Sequence, residues 1–100
     1  MTESDQFNKI IEKGISLVDF SAPWCGPCKH QSPIIKEIKK KYSGRVNVLD
    51  INIDKQRSFA FKFNIRSIPT IIIFKDGMEV EKFVGLKSEE TLCASLDKIL

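Results

Sequence analysis

No apolar run in this 100-residue sequence approaches the length needed to cross a membrane as a helix. The opening stretch, MTESDQFNKIIEKG, is acidic and polar and carries no apolar signal-peptide core. If the chain is complete, the expectation is a cytoplasmic protein. Repeats, low-complexity tracts and linkers are absent, and the length suits one core, so residues 1–100 read as a single domain. An excess of one charge is missing too: 16 basic and 13 acidic residues leave a formal net charge of +3. That balance is no footprint for nucleic acid. The densest basic run, Lys39-Lys40-Lys41, has no aromatic platform beside it and reads as a solvated helix face. Neither a nucleic acid nor a membrane is expected as a partner.

Cysteine is scarce and odd in number, three in all, which argues against a disulfide framework. Two of the three, Cys25 and Cys28, stand in the stretch FSAPWCGPCKH. In the cytoplasm stable structural disulfides are uncommon, so such a pair is redox-active or metal-binding. A second Cys-x-x-Cys is lacking, whereas structural zinc needs four ligands. His30 and Cys93 complete a set only if the C-terminal helix lies beside the pair. Otherwise His30 reads as a helix-surface residue and Cys93, off the apolar stripe, as a partly exposed, unreactive thiol.

What the sequence does contain is regular periodicity. Hydrophobic residues make up 42 %, near the globular average. Phe7, Ile10 and Ile11 have helical spacing within 4–13, and Gly14 follows as a stop. ISLVDF, 15–20, reads as a central strand covered on both faces, apolar except for Asp19. A helix is expected from about Cys25 to Tyr42, striped by Ile35, Ile38 and Tyr42 and kinked at Pro33. Gly44 ends it, and 45–54 reads as a second strand. Residues 55–64 fit two patterns: Phe59 and Phe63 have helical spacing, while Phe59, Phe61 and Phe63 alternate like a strand; a short helix is expected because it continues the strand–helix–strand order. TIIIF, 70–74, and MEVEKFV, 78–84, read as a hairpin about KDG, with Met78, Val80 and Val84 on one face and Glu79 and Glu81 opposite. Ser88 caps a last helix that turns Leu92, Leu96 and Ile99 inward. The order is αβαβαββα: an α/β fold with one mixed sheet and helices on both faces.

The cysteine pair falls where a strand ends and a helix begins. There Cys25 meets unpaired backbone N–H groups and the positive end of the helix dipole, both of which favour a thiolate. Cys28 lies one turn further in, so its sulfur is expected to be more covered. One helical turn brings the two sulfurs within bonding reach. Cys25 can attack an outside disulfide, and Cys28 can then resolve the mixed disulfide at high effective concentration. Pro27 stands in the first turn, where its missing N–H costs little.

WCGPCK resembles the signature of the thioredoxin family. The resemblance extends through VDF upstream, Pro33 five residues after Cys28, IRSIPT at 65–70, KDG, and Gly85 in FVG. It implies the thioredoxin fold: a central mixed sheet of four strands, or five where an edge strand precedes the first helix. Residues 1–6 do not look like such a strand, so 45–54 is expected to form an open edge, available for weak pairing with another chain; a monomer is otherwise implied. By the same resemblance Cys25 is the exposed nucleophile and Cys28 the resolving thiol. Asp19 is a buried carboxylate with a raised pKa that takes the proton from Cys28. Pro69 is a cis-proline packed against the pair, and Ile68 offers its backbone to an extended client segment. Trp24, Gly26, Pro27, Ile68 and Gly85 form the apolar docking surface. The implied activity is protein-disulfide reduction without a cofactor in this chain, with disulfide-containing clients and a thioredoxin reductase as partners.

Two departures stand out. The common bacterial pattern has tryptophan where this chain has Ser21, and many members have a lysine near the buried aspartate where this chain has Asp50. A second acid there pushes the pKa of Asp19 up. Two other readings compete. An oxidant or isomerase usually has other residues in place of Gly26-Pro27 and works in an oxidising compartment. A binding or folding-helper module would carry its thiols incidentally.

Overall fold

A computed structural model describes residues 2–100. Its elements follow the expected order: α1 (Glu3–Ile11), β1 (Ile15–Ser21), α2 (Gly26–Lys41), β2 (Val46–Asn52), α3 (Arg57–Lys62), β3 (Thr70–Lys75), β4 (Met78–Val84) and α4 (Glu89–Ile99). The four strands form one mixed sheet in the order β2-β1-β3-β4. β1 runs parallel to β2 and antiparallel to β3, and β3 pairs antiparallel with β4. Among the described residues no strand covers β2, so it is an edge of the sheet.

Alternation along β1 decides what lies on each face of the sheet. Ile15 and Leu17 join Ile71 and Ile73 beneath α2 and α4, where they pack on Ile35, Ile38, Tyr42, Leu92 and Leu96. Val18 and Phe20 join Ile72 and Phe74 on the other face, against Phe7 and Ile11 of α1 and Phe59 of α3. Parity therefore puts Asp19 on the α2 side of the sheet. Thr2 caps α1 by accepting from the Asp5 amide, while the Asp5 side chain accepts from the Thr2 amide. Ser88 caps α4. Asp76 and Gly77, both with positive φ, make the tight β3–β4 turn. That turn is tied to the start of β1, because Gly14 N–H donates to Asp76 Oδ1 at 2.8 Å. Pro33 lies inside α2, which continues through it as a 16-residue helix.

Three expectations need correction. Ile10 is exposed, so Phe7 and Ile11 alone anchor α1. Met78, Val80 and Val84 are exposed as well. The register of β4 shifts opposite Ile73 and Phe74, and the alternation read along this edge strand does not survive that irregularity. The packed residue of β4 is Phe83, and half-buried Glu81 accepts a hydrogen bond from Ser95. Finally, Cys93 is buried at 7 % exposure. α4 is wedged deeply enough that both Leu92 and Cys93 reach the core, and the Tyr42 hydroxyl lies 3.4 Å from the Cys93 carbonyl oxygen.

α1 is held to the sheet largely through one ring. Phe7 packs on Phe59, Phe63 and Phe74 with centroid distances of 5.0, 5.5 and 6.0 Å. Phe7→Ala is expected to lower the unfolding free energy by about 3–5 kcal/mol. Urea titration checks this: the midpoint should fall with little change in slope.

Candidate active site

β1 ends at Ser21, the chain turns through Ala22–Cys25 with Cys25 N–H donating to Ala22 O at 3.2 Å, and α2 begins. Cys25 is the N-cap of that helix. Its sulfur accepts a hydrogen bond from the Cys28 amide at 3.2 Å, which occupies one of the amides that a helix start leaves without a partner. Cys25 and Cys28 are joined as a disulfide, with their Cα atoms 5.3 Å apart.

The expectation of an exposed Cys25 and a covered Cys28 does not hold for this bonded pair: their exposures are 4 % and 5 %. Ala22, Ile53 and Ile68 pack around both, and Ile68 O lies 3.7 Å from Cys25 Sγ. What distinguishes the two is their surroundings. Cys25 is flanked by the exposed residues Trp24, Gly26 and Pro27, whereas Cys28 points from the first turn of α2 toward the sheet and lines a cleft.

Sequence-distant segments complete the rim. Trp24 is 68 % exposed, yet its indole N–H donates to Asp54 Oδ2 at 2.8 Å. Asp54 follows β2 in a turn where Asn52 Oδ1 accepts from the Asp54 and Lys55 amides. The Ile68–Pro69 peptide is cis. Gly85 N–H donates to Pro69 O at 2.8 Å, and Gly85 has φ +90°, where a side chain would be strained. Trp24, Gly26 and Pro27 flank Cys25 in sequence, Ile68 packs against the pair, and Gly85 is joined to this segment through Pro69. His30 is exposed on α2, as expected. Asp54 was not singled out by the sequence; its only signal is an aspartate just beyond a strand end. Gln31 was missed as well, although the stripe Cys28, Gln31, Ile35, Ile38 of α2 puts a polar side chain on the buried face.

Asp19 is 2 % exposed, and its Oδ1 has no hydrogen-bond partner. It lines a cleft of about 300 Å³ together with Ser21, Cys28, Lys29 and Asp50, so Asp19 and Cys28 share one space. Burial, and secondarily the Asp50 carboxylate opposite it on β2, raise its pKa from 3.8 to about 7. Both departures from the family pattern meet here: Ser21 Oγ–H donates to Asp50 Oδ1 at 3.0 Å. Among the described residues no group of three or more His, Cys, Asp or Glu is placed to hold a metal ion.

The raised pKa links folding to pH with a definite sign. Between pH 3.8 and about 7 the folded chain keeps a proton on Asp19 that the unfolded chain has released. Stability from this group is therefore lost as pH rises across that window, by at most about 1.4 kcal/mol per pH unit. Asp19→Asn removes that contribution. Urea unfolding at pH 5 and pH 8 should show a smaller fall in stability for the variant than for the wild type.

The comparisons with known proteins agree with this geometry. The family model for thioredoxin matches residues 1–98. The chain is 46 % identical to a thioredoxin of Staphylococcus epidermidis over 100 residues, covering all of this chain and 95 % of the relative. It is 44 % identical to a Staphylococcus aureus thioredoxin over the same span, again 95 % of the relative. A mutant thioredoxin from Halobacterium salinarum superposes with a TM-score of 0.86 at 28 % identity, over 94 % of this chain and 82 % of that one. A Malassezia sympodialis thioredoxin gives 0.85 at 30 % identity, over 98 % and 86 %. A disulfide-bonded Cys25–Cys28 pair at a helix N-terminus, in a sheet of this topology and with matches over the full length, places the chain in the thioredoxin family of dithiol–disulfide oxidoreductases.

Proposed function

We propose that residues 1–100 act as one domain that reduces protein disulfides, with Cys25 as the attacking thiol, Cys28 as the resolving thiol and Asp19 as the proton acceptor. The observation that carries this reading is the hydrogen bond from the Cys28 amide to the Cys25 sulfur at 3.2 Å. In the reduced protein the same donor and the helix dipole stabilise negative charge on Cys25 and not on Cys28.

The steps balance as follows. The Cys25 thiolate attacks one sulfur of a client disulfide; a bond forms to that sulfur, and the other client sulfur leaves as a thiolate. Cys28 then loses its proton to the Asp19 carboxylate across the shared cleft. The Cys28 thiolate attacks Cys25 Sγ, closes the Cys25–Cys28 disulfide and releases the second client thiolate. Two electrons have passed to the client. A thioredoxin reductase returns two electrons, Asp19 gives its proton back to Cys28, and Cys25 is restored as a thiolate; this chain itself needs no cofactor. A pKa of about 7 suits Asp19 to both halves of the cycle, because it can take and release a proton near neutrality.

Client docking falls to the rim. Trp24, Gly26, Pro27, Ile68, Pro69 and Gly85 would form the docking surface; exposure of the Trp24 ring and the contact of Ile68 O with Cys25 Sγ support this. An extended client segment can pair with the Ile68 backbone as a short added strand. Donation of electrons requires the dithiol form to be maintained, which fits work in a reducing compartment such as the cytoplasm.

Insulin reduction is the test. Cys25→Ser should abolish it. Cys28→Ser should accumulate a mixed disulfide with the client, visible as a mass adduct that dithiothreitol removes. Asp19→Asn should slow release of that adduct at pH 7 by about tenfold or more. Equal turnover in wild type and Cys25→Ser would sink the assignment.

A further inference from the structure

Gln31 stands on the buried face of α2, one turn past Cys28, and is 0 % exposed. A buried amide must place both its donor and its acceptor. Gln31 places both on one residue: Nε2–H donates to Lys87 O at 3.0 Å, and Oε1 accepts from the Lys87 amide at 2.8 Å. Turning the amide over would set donor against donor and acceptor against acceptor, so the network fixes its orientation. Lys87 belongs to the link between β4 and α4, residues 85–88, which has no strand partner of its own. The rest of that link is tied at both ends. Lys87 Nζ donates to Val84 O at 3.1 Å, and Ser88 caps α4 by accepting from the Thr91 amide at 3.2 Å. Two residues before Lys87, Gly85 N–H donates to Pro69 O at 2.8 Å.

These bonds form a continuous path: from Cys28 along one turn of α2 to Gln31, across to Lys87, back to Gly85, and from there to Pro69 and Ile68 beside the Cys25 sulfur. We propose that Gln31 is a positioning residue for partner recognition, clamping the 85–88 link so that Gly85 and the Ile68–Pro69 segment keep a fixed spacing from the cysteine helix. This rests on the reading that partners dock on the rim around Cys25. Both side-chain hydrogen bonds of Gln31 go to Lys87 and none to a sulfur or to the docking residues. Its influence runs through the loop, so it should govern how well a protein client fits and leave the sulfur chemistry alone.

Gln31→Met preserves most of the side-chain volume and removes both bonds. Its KM for insulin is expected to rise about five- to tenfold, the scale set by two lost buried hydrogen bonds. Turnover at saturation, and reduction of the small aromatic disulfide dithionitrobenzoate, should stay within about twofold of wild type, because that reagent needs little of the rim. Hydrogen exchange on the wild-type protein gives an independent reading: the Lys87 amide, though in a link between elements, should exchange as slowly as amides of the sheet. The proposal fails if the Met variant keeps the wild-type KM, or if insulin and dithionitrobenzoate reduction fall in the same proportion. It also fails if the wild-type Lys87 amide exchanges as freely as an exposed loop, a result obtainable even where the variant does not fold. Should wild type fail to reduce insulin, the proposed function falls instead, and exchange at Lys87 still decides whether the clamp exists.

Discussion

The hydrogen bond from the Cys28 amide to the Cys25 sulfur can exist only if α2 starts where it does. A helix begins with amides that nothing inside it can satisfy. Here the cap is a sulfur, where a hydroxyl or carboxylate is usual. For that to happen β1 must stop at Ser21, the chain must turn at once, and the helix must point its positive end back toward the sheet edge. Strand β1, buried on both faces between β2 and β3, holds the position. Pro27 suits the first turn because it has no N–H to leave unpaired. The electrostatic surroundings of the Cys25 sulfur are therefore set by backbone geometry, through the Cys28 amide and the start of α2.

The same geometry places a carboxyl group where a protein interior would ordinarily exclude it. Asp19 lies on the α2 side of β1 by strand parity, on the same face as the apolar Ile15 and Leu17, and lines a cleft with polar neighbours. Desolvation disfavours its charge, and Asp50, next to it across the parallel pair, adds repulsion. Burial is the larger cause, so a neutral residue at position 50 would moderate the shift without abolishing it, and a lysine there, being cationic, would oppose it. The hydrogen bond from Ser21 to Asp50 joins the two departures from the family pattern. It gives Asp50 a polar partner at the mouth of the cleft and leaves the inner carboxylate, Asp19, without one. An unpaired buried oxygen is unfavourable for folding. The residue that carries it lines the same cleft as Cys28.

Much of this was legible in the sequence, for reasons that can be named. The strands and helices follow from strict periodicities, and the Cys-x-x-Cys pair from spacing alone. Asp19 could be read because a lone carboxylate interrupts a doubly buried strand. Other features were hidden because they depend on tertiary placement. Cys25 was expected to be exposed from its place before the helix, but Ile53 and Ile68, 28 and 43 residues away, cover it. Cys93 sits off the helical stripe, yet α4 packs deeply enough to bury it. The β4 face could not be read through a register shift whose cause lies in pairing with β3. Asp54 and Gln31 carry no motif. Their roles rest on partners 30 and 56 residues away.

These long-range bonds share a pattern. Each joins a segment near the cysteines to a loop supplied by another part of the fold: Trp24 to Asp54, Gln31 to Lys87, Pro69 to Gly85. Loops held only by their own chain sample many conformations, and ordering them on binding would oppose affinity. Directional bonds made during folding order them beforehand. Trp24, Asp54, Gln31, Lys87, Pro69 and Gly85 do not line the cleft that Cys28 shares with Asp19. On the proposed reading, partner recognition and proton transfer therefore use different residues around one sulfur pair. A change in the rim can alter which partners dock without disturbing the buried carboxylate, and a change at Asp50 can retune that carboxylate without reshaping the rim.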